Sequence, residues 1–185
     1  MERDPRYNTV KIMIEGGHVT EFRQIFDKEY IPKTTVATDM GTNYKRLVRL
    51  IDDVTQFKVG DIVTVAGFFD VDTRVLFNLI ANQIGSDKKP KKKERDPRYN
   101  TVKILIEGGH LAELKQIFAN IPKTIVAADM GENQYKRLVR SVKDVTRLFV
   151  SDIVTLASFF EVDKRAIFNL VANQIDNKKK ARRKR

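Results

Sequence analysis

The chain contains no cysteine and only two histidines. Without thiols it has no disulfide framework, no cysteine-based zinc site and no thiol nucleophile. Long apolar runs are also missing: none approaches the roughly 20 residues that a membrane-spanning helix needs. The opening, MERDPRYN, is charged and carries no apolar signal segment. These absences predict a soluble, cytoplasmic chain with no membrane partner. No segment alternates apolar and polar residues far enough to argue for a strand. No convergent acid, base, nucleophile or metal-ligand set appears, so neither an enzyme nor a cofactor is expected. His18 and His110 follow Gly-Gly at equivalent places and have no second ligand at metal spacing, which favours a helix-start role. Gly16-Gly17 reads as a helix stop, because no phosphate loop of the form G-x-x-x-x-G-K-[ST] is present.

Positive charge is plentiful and unevenly placed. The formal net charge is +11 over 185 residues. The stretch 86–93, SDKKPKKK, and the end 176–185, DNKKKARRKR, together carry +10 of it. Blocks of this kind are usually disordered and bind polyanions, a nucleic acid among them. The rest of the chain is close to neutral.

That rest is written twice. ERDPRYNTVKIMIEGGHVTEFRQIF (2–26) faces ERDPRYNTVKILIEGGHLAELKQIF (94–118), with 20 of 25 positions identical. IPKTTVATDMG (31–41) faces IPKTIVAADMG (121–131), and FFDVDTRVLFNLIANQI (68–84) faces FFEVDKRAIFNLVANQI (159–175). A period near 90 residues is too long for a solenoid repeat and about right for a small domain. The predicted organisation is a first domain over 1–85, a basic linker over 86–93, a second domain over 94–176 and a basic, disordered tail over 177–185.

Each copy reads as five to six helices. In the first, NTVKIMIEGG runs from a polar cap at Asn8 to Gly16-Gly17. HVTEFRQIF gathers Val19, Phe22, Ile25 and Phe26 on one face. PKTTVATDMG opens with Pro32 and closes on Gly41. NYKRLVRLI turns Leu47, Leu50 and Ile51 inward. VGDIVTVAGFF buries Ile62, Val65, Ala66 and Phe69, and VDTRVLFNLIANQ buries Val75, Leu76 and Leu79 behind a cap at Asp72. Asp39 and Asp129 read as solvated helix-end residues, and Phe68-Phe69 and Phe159-Phe160 as core or interdomain packing rather than base-stacking platforms. Ser141 replaces Leu50 in the second copy, and Val142 is expected to take over its core position.

The middle of each copy, PKTTVATDMGTNYKRLVRLI in the first, is a short helix, a glycine turn and a basic, aromatic second helix. That is the layout of a helix-turn-helix. With Val36-Ala37, Gly41 and IVTVAGFFDV (62–71) at their spacing, the span resembles the Cro / lambda-repressor-like (Xre family) helix-turn-helix domain over roughly 18–80 and 110–171. Asp70 stands where that family often has glycine. The resemblance implies double-stranded DNA as partner and a transcriptional regulator on the nucleoid. It implies phosphate contacts from Lys33 and from Asn43 at the helix cap, base-edge positions at Tyr44, Lys45 and Arg49, and a flank or phosphate contact from Arg46. In the second copy the counterparts are Lys123, Asn133, Tyr135, Lys136, Arg137 and Arg140, with Gln134 inserted in the turn. Lys178, Lys179, Lys180, Arg182 and Arg183 would add phosphate contacts. The tandem could act as a covalent pseudo-dimer, and a homodimer of chains is the other arrangement. The residues leave open a non-specific architectural DNA binder and a protein- or RNA-binding adaptor. In the bland reading the basic helix is a solvated face, with Asp52 and Asp53 as partners.

Overall fold

The structure is a computed structural model that describes residues 4–27, 30–84, 96–131 and 134–183. The chain divides into two compact units, Met1–Ser86 and Asp87–Arg185. Every regular element among the described residues is helical. The first unit holds α1 (Arg6–Glu15), α2 (Gln24–Asp27), α3 (Lys33–Asp39), α4 (Tyr44–Asp52), a 3-10 turn (Val54–Gln56), α5 (Val59–Phe69) and α6 (Thr73–Ile84). The second holds the same series: α7 (Arg98–Glu107), α8 (Leu114–Asn120), α9 (Lys123–Met130), α10 (Gln134–Lys143), a 3-10 turn (Val145–Arg147), α11 (Val150–Phe160) and α12 (Lys164–Arg183). The linker expected over 86–93 lies outside the described residues. The expected disordered tail is corrected over 177–183, where α12 continues through Arg183; 184–185 lie outside the described residues. Lys, Arg and Ala are good helix formers, so a charge run that begins on an established helix extends it.

The repeated opening phrase starts each unit. Asp4 Oδ1 accepts the Arg6 backbone N–H at 3.0 Å, and the Asp4 carboxylate pairs with the Arg6 guanidinium at 2.6 Å. Hydrogen bonds from Arg6 hold the Asp4 carboxyl down to about 2; Arg98 holds Asp96 at about 2 in the same way. Pro5 and Pro97 precede the first helical residue, where a missing N–H costs nothing. The helix therefore begins before Asn8, which is not its cap. Tyr7 is the anchor. Its ring lies 5.8 Å from Phe68 and 5.7 Å from Phe69 on α5, and its hydroxyl donates to Asp39 Oδ2 at 2.5 Å. Tyr99 repeats this with Phe159, Phe160 and Asp129. Asp39 and Asp129 thus tie α1 to α3 and α7 to α9 rather than simply facing water.

Helix ends follow glycine chemistry at two places that matter. Gly17 has φ 71°, and the His18 N–H returns to Met13 O at 3.0 Å, closing α1 in a Schellman turn. His18 therefore ends one helix rather than starting the next, and its ring sits over Gly16, where an added Cβ would come within 2.9 Å of it. Gly41 has φ 62°, with Thr42 N–H on Ala37 O at 2.9 Å, and this turn joins α3 to α4.

The ends of α5 and α11 use non-glycine residues in the same left-handed conformation, Asp70 at φ 53° and Glu161 at φ 51°. Both close Schellman turns: Val71 N–H reaches Ala66 O at 3.1 Å and Val162 N–H reaches Ala157 O at 3.0 Å. A Cβ in that region costs about 1–2 kcal/mol. Glycine there gives back part of that gain through its looser unfolded chain. The ion pair between Glu161 and Lys103, at 3.8 Å, is exposed and weak. Glu161→Gly is expected to stabilise the second unit by about 0.5–1 kcal/mol, measured as a higher urea midpoint at unchanged m-value.

The core is formed as the periodicity predicts, apart from Val75, Phe68, which is half-buried, and the Ser141–Val142 positions of α10. Val19, Phe22, Ile25, Leu47, Ile62, Val65, Phe69, Leu76 and Leu79 are buried. Val75 is 39% exposed, and Phe77 and Ile80 take the inward positions of α6 instead. Phe22 packs edge-on against Phe26 and Phe57 at 5.5 and 5.2 Å.

Candidate nucleic-acid interface

In the first unit α3 packs against α4 across the Met40–Asn43 turn. Val36 and Ala37 are buried on α3, and Leu47, Leu50 and Ile51 on α4. Asn43 caps α4: its side-chain oxygen accepts the Arg46 N–H at 2.7 Å. With one face committed to the core, the other presents Tyr44, Lys45 and Arg49. Tyr44 is 50% exposed, and both cations are exposed. Lys33 stands half-buried at the first position of α3. The one hydrogen bond of the Arg49 side chain among the described residues is a long one to Lys45 O, 3.4 Å.

Arg46 is different. Its guanidinium pairs with Asp61 at 3.0 Å and donates to Thr42 Oγ1 at 3.2 Å. Asp61 also accepts the Lys58 N–H at 3.2 Å, capping α5. Arg46 therefore joins the α4 start to the α5 start and is a positioning residue. Neither Asp52 nor Asp53 is its partner. Asp53 is engaged by Thr55 and Gln56, whose hydrogen bonds lower its pKa and hold the 3-10 turn.

The second unit keeps the plan and changes details. Leu138 is buried; Tyr135 is 49% exposed, and Lys136 and Arg140 are exposed. Arg137 pairs with Asp152 at 2.6 Å and stacks over the Phe149 ring at 5.0 Å. Asn133 lies outside the described residues. Gln134 is the first residue of α10, and its side-chain oxygen accepts from Arg137 at 3.3 Å, where Thr42 serves Arg46. Gly131 has φ 116°, unlike Gly41, so the lengthened turn leaves α9 by another path. Val142 does not take over the position of Leu50. It occupies the place of Ile51, and Ser141 itself is buried at 3% exposure. The tail cations Lys178, Lys179, Lys180, Arg182 and Arg183 lie exposed on the last turns of α12.

Adjacent Asn and Gln residues on α6 and α12 tie down other segments, the glutamine reaching the last turn of α4 or α10, and periodicity gives no hint of them. Gln83 accepts the Arg23 N–H at 3.0 Å and donates to Ile51 O at 2.7 Å. Gln174 does the same for Lys115 and Val142 at 3.1 Å each. Asn82 and Asn173 donate to Thr20 O and Ala112 O. The only sequence signal is the phrase ANQI in both copies. Gln83→Ala leaves a backbone donor and an acceptor without partners. It is expected to cost about 1–3 kcal/mol in the first unit, read from hydrogen exchange of the α4 amides.

Among the described residues, no group of three or more His, Cys, Asp or Glu side chains is placed to hold a metal ion. No helix among them is long and apolar enough to cross a membrane. No family model, no curated protein and no solved structure matches the chain.

Proposed function

We propose that the chain binds double-stranded DNA and reads its sequence as a transcriptional regulator, with α3–α4 and α9–α10 serving as helix-turn-helix pairs. The observation that carries the proposal is the outer face of α4. Tyr44, Lys45 and Arg49 are exposed together on a helix whose other face is locked to α3, and α10 repeats the pattern. Such a face suits the major groove. Arginine and lysine donate to guanine O6 and N7, and tyrosine reaches a phosphate or a thymine methyl. Lys33 and Lys123, at the starts of α3 and α9, suit the flanking phosphates.

Two such faces in one chain make a covalent pseudo-dimer. From Ile84 to Arg98 the chain reaches at most about 46 Å at ~3.3 Å per residue. That exceeds the ~34 Å between successive major grooves on one side of a duplex, and the tether raises the effective concentration of the second unit.

Duplex affinity measured against salt tests the proposal. The logarithm of the association constant is expected to fall linearly with the logarithm of salt, by about 0.9 per phosphate neutralised. An affinity indifferent to salt contradicts it. A second reading, a docking adaptor, draws on Ile12 and Ile104, which are 58% and 59% exposed at equivalent places on α1 and α7.

A further inference from the structure

In the second unit α12 runs past Ile175, the equivalent of Ile84, to Arg183. The added turns form one wall of a cleft in the second unit, of about 510 Å³, whose other walls come from α8, α9 and α10. That volume lies in the range of small-ligand sites, about 300–1,000 Å³. Its lining is unusual for such a site, because four lysines face it: Lys115, Lys123, Lys143 and Lys178.

The lysines are held in different ways. Lys178 Nζ donates to Lys143 O at 2.6 Å, which docks the helix extension against the end of α10. Asn177 secures the same turn by donating to Glu113 at 2.7 Å. Lys123 Nζ lies 5.3 Å from the centre of the Phe118 ring. Glu113 is the one acidic residue in the lining, and Lys115 neutralises it at 2.7 Å. Hydrogen bonds from Lys115 and then Asn177 keep the Glu113 carboxyl below its ordinary value, so it stays charged and engaged. The lining therefore carries four cations against one carboxylate, although Lys178 also acts on Glu113 and, outside the lining, on Asp144. The sign is particular to this unit, since the first unit has Asp52 where the second has Lys143.

We propose that this cleft is an oligophosphate site: it takes consecutive phosphate groups, with Lys123, Lys143 and Lys178 as donors. Lysine ammonium groups bind phosphate as compact, flexible point charges without demanding one geometry, which suits successive groups along a chain. The site does not require α4 or α10 to enter a DNA groove, but it shares Lys123 with the proposed duplex face. The phosphates come either from a nucleic-acid backbone or from a free oligophosphate.

The test is calorimetric titration of the full chain with inorganic tripolyphosphate at low salt, paired with amide chemical-shift mapping. One equivalent is expected to bind, with shifts at Lys143 and Lys178. Lys143→Asp, which installs the first unit's residue, should weaken binding ten-fold or more, and Lys143→Gln should fall between. Arg49→Asp makes the same charge change on the other unit and should alter tripolyphosphate binding by less than two-fold. Competition then separates the sources. Displacement of tripolyphosphate by a random-sequence duplex assigns the site to backbone phosphate, and retention assigns it to a free oligophosphate. No binding, shifts confined to other parts of the chain, or equal weakening by Lys143→Asp and Arg49→Asp would overturn the site.

Discussion

Replacing Tyr7 with alanine is expected to destabilise the first unit by about 3–5 kcal/mol, the range for removing a large buried aromatic side chain. Tyr7 is 1% exposed and touches two phenylalanines of α5, so little can relax into the space it leaves. A unit of this size has roughly 0.05–0.15 kcal/mol per residue in hand, and a loss of this magnitude takes a large share of it. Tyr7→Phe keeps the ring and removes the hydroxyl that donates to Asp39, and should cost about 0.5–1.5 kcal/mol. Residue-resolved hydrogen exchange checks both, because the loss should appear in α1, α3 and α5 and spare α7–α12. Tyr99→Ala should reverse the pattern. The physical content is that α1 belongs to the unit that carries α3 and α4 and is no appendage to it.

The second large effect concerns binding. Substituting Lys45, Arg49, Lys136 and Arg140 together by alanine is expected to lower specific duplex affinity by about 10³-fold or more. A well-made base contact discriminates by about 1–3 kcal/mol; four at the low end total ~4 kcal/mol, and each 1.4 kcal/mol is tenfold. Stability should hold, because all four side chains are exposed and the buried faces of α4 and α10 are untouched. Surface changes of this kind usually stay within about 0.5 kcal/mol each. Thermal melts beside anisotropy titrations separate the two effects. Arg46 and Arg137 must be left in place, since their pairs with Asp61 and Asp152 hold the helix starts together.

What could be read in the sequence is what repeats at a short period. Phe22, Leu47, Ile62 and Leu76 announce their burial through neighbours three and four positions away, and Gly17 and Gly41 announce their turns through an intrinsic backbone preference. The contacts that position the candidate face are of another kind. Tyr7 finds Asp39 and Phe68 only in three dimensions, and Gln83 reaches Ile51 O across 32 positions. No local pattern marks such pairs. In sequence Arg46 reads as a flank or phosphate contact beside Lys45; the approach of α5 makes it a structural tie and leaves Lys45 facing out. The basic end looked like a solvated tail because charge runs usually are, yet Asn177 and Lys178 find partners on α8 and α10 and hold the helix in place. Val75 faces out because α6 has more apolar residues than inward positions, and Phe77 and Ile80 claim them.

The central claim is that α4 and α10 read DNA sequence. The most direct measurement is selection from a random duplex library at near-physiological salt, run in parallel on the unaltered chain and on the fourfold alanine variant. The account predicts two enriched half-sites at fixed spacing for the unaltered chain and loss of that enrichment in the variant. Binding without an enriched motif, or an identical motif from both chains, would contradict it. The first of those results would leave the basic segments as a sequence-indifferent coat on the duplex.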